Sequence, residues 1–69
     1  MLRLPVTSSN IKSVGYDPKI FTLEVQFTDG RVYQYFNVPQ LIYQNLLQAP
    51  SKGKFFASSI KKVYGFRRV

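Results

Sequence analysis

The stretch Phe21-Thr22-Leu23-Glu24-Val25-Gln26-Phe27-Thr28-Asp29-Gly30 decides the fold. Phe21, Leu23, Val25 and Phe27 alternate with Thr22, Glu24, Gln26 and Thr28. A period of two kept over these apolar positions marks a strand with one buried face and has no helical equivalent. Asp29-Gly30 supplies the left-handed backbone positions of a tight turn. Arg31 to Val38, rich in aromatic and β-branched residues, returns as the second arm of a hairpin. Upstream, Asn10 to Tyr16 carries Ile11, Val14 and Tyr16 with a change of parity at Ser13 or Gly15, consistent with a bulged edge strand, and Asp17-Pro18 turns the chain. Together these segments predict a three-stranded antiparallel meander over residues 10 to 37.

Beyond the sheet, Val38-Pro39 marks a helix start with proline in the first turn. Ile42, Leu46 and Ala49 form one apolar stripe, widened by Tyr43 and Leu47, on a helix to about Gln48 that Pro50 ends. Ser51 is a good N-cap for a second helix, in which Phe56, Ile60 and Val63 fall at i, i+4 and i+7 with Phe55 beside them. On its polar side Lys54, Ser58 and Lys61 should form one stripe, since Lys54 and Lys61 stand close to two helical turns apart. The expected fold class is α+β, in the order βββαα, with the helices closing one face of the sheet. The chain has 69 residues, which fits a single domain, with residues 1–8 as an N-terminal arm and Tyr64 to Val69 either a short terminal strand or a tail.

The hairpin turn admits two registers. A two-residue loop at Asp29-Gly30 sets Phe27 against Val32 and Val25 against Gln34, which buries a glutamine and turns Tyr33 and Tyr35 to solvent as a stacking platform. A three-residue loop, Thr28-Asp29-Gly30 with a bulge, sets Phe27 against Arg31, Val25 against Tyr33 and Leu23 against Tyr35, so that Gln34 points out and the tyrosines join the core. The second register is favoured, because an unpaired buried glutamine is costly.

Composition narrows the function. A chain of this size buries only about 60% of its unfolded surface, so little apolar surface is spare for a deep pocket. There is no cysteine and no histidine, which removes disulfide frameworks, zinc or haem ligation and every histidine-based catalytic dyad. The Ser-x-x-Lys pattern at Ser9/Lys12, Ser51/Lys54, Ser58/Lys61 and Ser59/Lys62 is background from abundant serine and lysine. Asp17, Glu24 and Asp29 are too few to form an acid/base pair or an oxygen-rich metal cage. No catalytic residue, cofactor or metal is expected. Nor is there an apolar run of the ~18 residues that a membrane span needs, and a cytoplasmic monomer is expected.

Ten Lys plus Arg against three Asp plus Glu give a net charge of +7. In residues 1–29, Arg3, Lys12 and Lys19 cancel Asp17, Glu24 and Asp29, whereas Arg31, Lys52, Lys54, Lys61, Lys62, Arg67 and Arg68 have no acid between residues 30 and 69. One-sided charge points to an anionic partner. Lys52, Lys54, Lys61, Lys62, Arg67 and Arg68 are the candidate phosphate contacts, with Tyr64, Phe66 or a hairpin tyrosine stacking on a base. A possible phosphate site lies at Ser51 and Gly53, where a helix N-terminus would offer free N–H groups. The competing explanation, weighted above it, is a capped helix whose glycine permits tight packing. An acidic protein that docks on a sheet edge or on the basic helix is the alternative partner to RNA.

The ordered set Ser13-Val-Gly-Tyr-Asp17, Leu23-Glu-Val-Gln-Phe27, Asp29-Gly30, Tyr33-Gln-Tyr35, Val38-Pro39, Ala49-Pro-Ser-Lys-Gly53 and Phe55-Phe56 with Ile60 resembles the KTSC domain, named for the C-terminal region of some lysyl-tRNA synthetases. The match runs from about Ser8 to Phe66 without interruption, and the central Tyr33-x-Tyr35 is its family motif. The resemblance implies a small stand-alone domain of bacterial or phage type, with RNA as the suggested ligand.

Overall fold

The computed structural model describes residues 1–69, and its elements are β1 (Leu4–Pro5), β2 (Ile11–Asp17), β3 (Thr22–Phe27), β4 (Val32–Tyr35), α1 (Gln40–Gln48), α2 (Lys52–Ser59) and β5 (Phe66–Arg68). The fold is α+β. Its sheet has five strands in the order β1-β2-β3-β4-β5, all antiparallel, rather than the three expected. The two extra strands come from the chain ends, and two or three residues carry no periodicity for a sequence reading to detect. The supposed arm at residues 1–8 pairs Leu4 with Val14 and Pro5 with Ser13, so β2 is not an edge. At the other end Phe66 pairs with Tyr35 and Arg68 with Tyr33, which makes the tail a strand.

The β3–β4 turn adopts the favoured register. Leu23 pairs with Tyr35 and Val25 with Tyr33, the Phe27 amide donates to the Arg31 carbonyl at 2.9 Å, and Gly30 takes φ +94°. Glycine holds that left-handed conformation without the clash a Cβ would bring. The bulge in β2 falls between Ile11 and Ser13. One expectation for β3 fails at its first residue. Phe21 is outside the strand, at φ +53° and 54% exposed, because its carbonyl accepts the Val38 amide (2.9 Å) that leads into α1.

One face of the sheet carries Ile11, Val14, Leu23, Val25 and Tyr35, and the helices close it with Leu46, Phe56 and Ile60, all buried. Tyr16 ties this face to the start of α1, stacking on Tyr43 at 5.1 Å and donating its hydroxyl to the Val38 carbonyl. Ser51 caps α2 by accepting from the Lys54 amide at 3.4 Å. The expected Phe56, Ile60, Val63 stripe stops short, because α2 ends at Ser59 and leaves Val63 62% exposed. The amides of Ile60 (3.0 Å) and Lys61 (2.9 Å) both donate to the Phe56 carbonyl, which closes the helix while Ile60 stays fully buried.

The other face of the sheet is polar and partly covered. Arg3 donates through Nε to Ser13 Oγ at 3.1 Å and through Nη1 to Glu24 Oε2 at 2.5 Å, and Gln34 Nε2 donates to Glu24 Oε1 at 2.9 Å. Gln34 does leave the core, as the register requires, but it meets a buried carboxylate rather than open water. No helix is long and apolar enough to cross a membrane.

Candidate nucleic-acid interface

The hairpin end of β3–β4, the strand β5 and the end of α2 enclose a cleft of about 490 Å³. Strand alternation puts Phe27, Tyr33 and Tyr35 on the helix side of the sheet, and Phe66 and Arg68 join them because they pair with Tyr35 and Tyr33. The rings pack on one another. Tyr35 meets Phe56 edge-on at 5.3 Å and Phe66 at 5.5 Å, while Tyr33 lies 5.6 Å from Phe66 and 5.8 Å from Phe27. Tyr35 is buried and Tyr33 half-buried, whereas Phe66 remains 54% exposed. The tyrosines of the central motif are therefore floor and wall of the cleft, and Phe66 presents the open aromatic surface.

The rim is basic. Lys61 and Lys62, carried in the turn after α2, line the cleft together with Arg31. Arg31 Nε donates to Asp29 Oδ2 at 2.7 Å, and its guanidinium carbon stands 6.0 Å from the centre of the Phe27 ring. The Arg31 amide, donating to Asp29 Oδ1 at 3.0 Å, does most to hold the Asp29 carboxyl below its ordinary value, and the guanidinium and Arg68 add to the effect. The same pairing raises Arg31. Asp29 is thus ionised and already occupied by Arg31. The only other ion pair in the molecule joins Arg3 to Glu24, so Lys61, Lys62 and Arg68 face the cleft side with no acid partner.

The remaining candidates, Gly53 apart, lie away from the cleft. Lys54 is exposed but does not line the cleft, and with Lys61 beyond the helix end the expected Lys54, Ser58, Lys61 stripe is interrupted. Lys52 is half-buried and donates Nζ to the Ala49 carbonyl at 3.2 Å. Arg67, opposite Gln34, belongs to the polar face, and Tyr64 packs half-buried against the core. At the start of α2 the Ser51 hydroxyl is engaged by the Lys54 amide, and a Cβ on Gly53 would lie 2.5 Å from Asn10 Oδ1. Gly53 thus serves the close packing of Asn10 against α2, and both residues line the cleft.

Arg31, Phe27, Phe56 and Asn10 also line the cleft and were not among the sequence candidates. The favoured register already set Arg31 against Phe27 and could have nominated both. Asn10 had no such signal, because a loop residue meets α2 only through the tertiary fold.

Residues 7–64 match the model of the KTSC domain family. The chain is 46% identical to a KTSC domain protein of Yersinia pestis whose crystal structure superposes with a TM-score of 0.93, over 99% of this chain and 96% of that one. An uncharacterized protein of Stutzerimonas stutzeri is 43% identical over 61 residues, 88% of this chain and 86% of its own length. A lysine–tRNA ligase of Nostoc punctiforme is 41% identical over 61 residues, which span 88% of this chain and 11% of the ligase.

Proposed function

The chain belongs to the KTSC domain family, and on that premise we propose that it is a nucleic-acid-binding module for single-stranded RNA, acting through the cleft beside β5. The observation that carries this reading is the union of an open aromatic surface at Phe66 with the unpaired cations Lys61, Lys62 and Arg68 on the same side of the sheet. Cations that release condensed counterions supply sequence-independent affinity for phosphates, and an exposed ring supplies a stacking surface for any base. Lys54 and Arg67 extend the positive field without entering the cleft. The occurrence of the domain within enzymes named lysine–tRNA ligase supports an RNA partner.

The second reading is an adaptor for an acidic protein. It is favoured by β5, an exposed edge strand paired on one side only, whose free backbone groups could receive an added strand. Recovery of the tagged protein from cell lysate, with and without nuclease, separates the two. Co-purifying RNA that is lost on nuclease treatment supports the first reading. A specific protein partner retained after nuclease supports the adaptor and counts against RNA.

A further inference from the structure

Buried tyrosine hydroxyls normally find a hydrogen-bond partner inside the protein. Tyr16 conforms, donating to the Val38 carbonyl. Tyr35 does not. It is 3% exposed, and none of the side-chain hydrogen bonds of the fold involves its hydroxyl. No side-chain nitrogen or oxygen is left both sealed from solvent and unpartnered, so this hydroxyl keeps a sliver of access, and the cleft is the open space that Tyr35 lines. Burial, with a smaller contribution from Tyr33, pushes its pKa up to about 12, so at neutral pH it is a phenol with a proton to donate.

Three features of the cleft fix what would satisfy that donor. Phe66 offers a half-exposed ring beside it, which suits a planar ligand. Lys61 and Lys62 attract an anion on the helix side, whereas on the hairpin side Arg31 is already paired with Asp29. The volume of about 490 Å³ falls within the range of small-ligand sites, roughly 300 to 1,000 Å³. We propose that the cleft receives one nucleotide, its base stacked on Phe66 and accepting a hydrogen bond from the Tyr35 hydroxyl, its phosphate held by Lys61 and Lys62. An acidic peptide would match the lysines and, through a carbonyl, the phenol, but its backbone offers no planar face to stack on the ring. The proposal rests on the RNA reading for the source of the nucleotide, whereas a free nucleotide carries the same chemistry.

The test uses the whole chain with uridine monophosphate, inorganic phosphate and a short oligouridylate, followed by chemical-shift mapping and titration. Uridine monophosphate should shift the resonances of Tyr35, Phe66, Lys61 and Lys62, and phosphate alone only those of the lysines. Tyr35→Phe, which keeps the ring and its packing, should weaken the nucleotide and the oligouridylate by about two- to tenfold, as expected for loss of one hydrogen bond. Phe66→Ala, on an exposed strand, should weaken both as well. Oligouridylate binding with the cleft resonances unmoved overturns the nucleotide site and leaves the RNA reading standing. Nucleotide in the cleft without oligouridylate binding upholds the site and overturns the RNA reading. Identical affinity in wild type and Tyr35→Phe removes the hydroxyl from the site, and no binding of any ligand overturns both readings.

Discussion

Gly15 sits beneath the N-terminal strand, where a Cβ would collide with the Leu2 carbonyl and lie 3.2 Å from Arg3 Cγ. The collision is with backbone, so Gly15→Ala should lift β1 and part Arg3 from Glu24. That leaves a carboxylate that is 9% exposed to be satisfied by Gln34 alone. A loss of about 1 to 3 kcal/mol is expected by thermal or denaturant unfolding. Arg3→Ala should cost a similar amount. Because the two changes act through one contact, the double variant should lose clearly less than their sum. The same carboxylate sets a pH dependence. Burial pushes the Glu24 carboxyl up, but hydrogen bonds from Gln34 and Arg3 and the charge of Arg3 outweigh it and hold the group below its ordinary 4.5. A lowered folded-state value means that its contribution is complete above the unfolded value and is lost as pH falls through the lower one. Wild type should therefore melt above Glu24→Gln at neutral pH, and the two should converge as pH falls below 4.5. None of this was legible in the chain. Arg3 meets Glu24 across 21 positions, and local patterning says nothing about a partner so distant.

At the scale of elements, the β3–β4 turn carries the most consequence. Its three-residue loop puts Tyr33 and Tyr35 on the core side, and a shift of one residue in β4 would exchange them for Gln34. Replacing Thr28-Asp29-Gly30 with Asn-Gly, the dipeptide of two-residue hairpins, forces the chain to choose between a strained turn and a buried glutamine. Loss of the cooperative thermal transition is the expected outcome, and an unchanged melt would show that β4 tolerates either register. The alternation of Leu23, Val25 and Phe27, together with the cost of burying Gln34, was enough to read this element from sequence. The end of α2 was not. No glycine or proline stands at residues 60 to 63, and the helix stops because Ile60 leaves helical geometry at φ −124° while remaining in the core. That early stop is what carries Lys61 and Lys62 off the helix to the cleft rim.

For the molecule as a whole, pairing decides which charges are available. Of the ten cations only Arg3 and Arg31 reach an acid, so of the seven in the C-terminal half Arg31 is paired, with Asp29, and the other six stay unopposed in three dimensions. What the sequence could not do was sort those cations, since Arg67 and Arg68 are neighbours in the chain yet lie on opposite faces of the sheet. If single-stranded RNA is bound through roughly four to six phosphates, log K should fall against log salt with a slope of about −3 to −4. Neutralising Lys61 and Lys62 together should make that slope shallower by about one unit with little change in sequence preference, while Lys54→Ala should have a smaller effect. One wall of the cleft is also a lightly anchored edge of the sheet. β5 is three exposed residues held by β4 alone, with the Val69 amide on the Val32 carbonyl and the Phe36 amide on the Gly65 carbonyl, both at 2.9 Å. Such an edge opens at little free-energy cost, so its amides should exchange with deuterium well before those of β2 and β3. A ligand seated against Phe66 must hold this strand shut. Slowed deuterium uptake at Phe36 and Val69 on binding would then report how much of the intrinsic affinity is spent on closing the sheet.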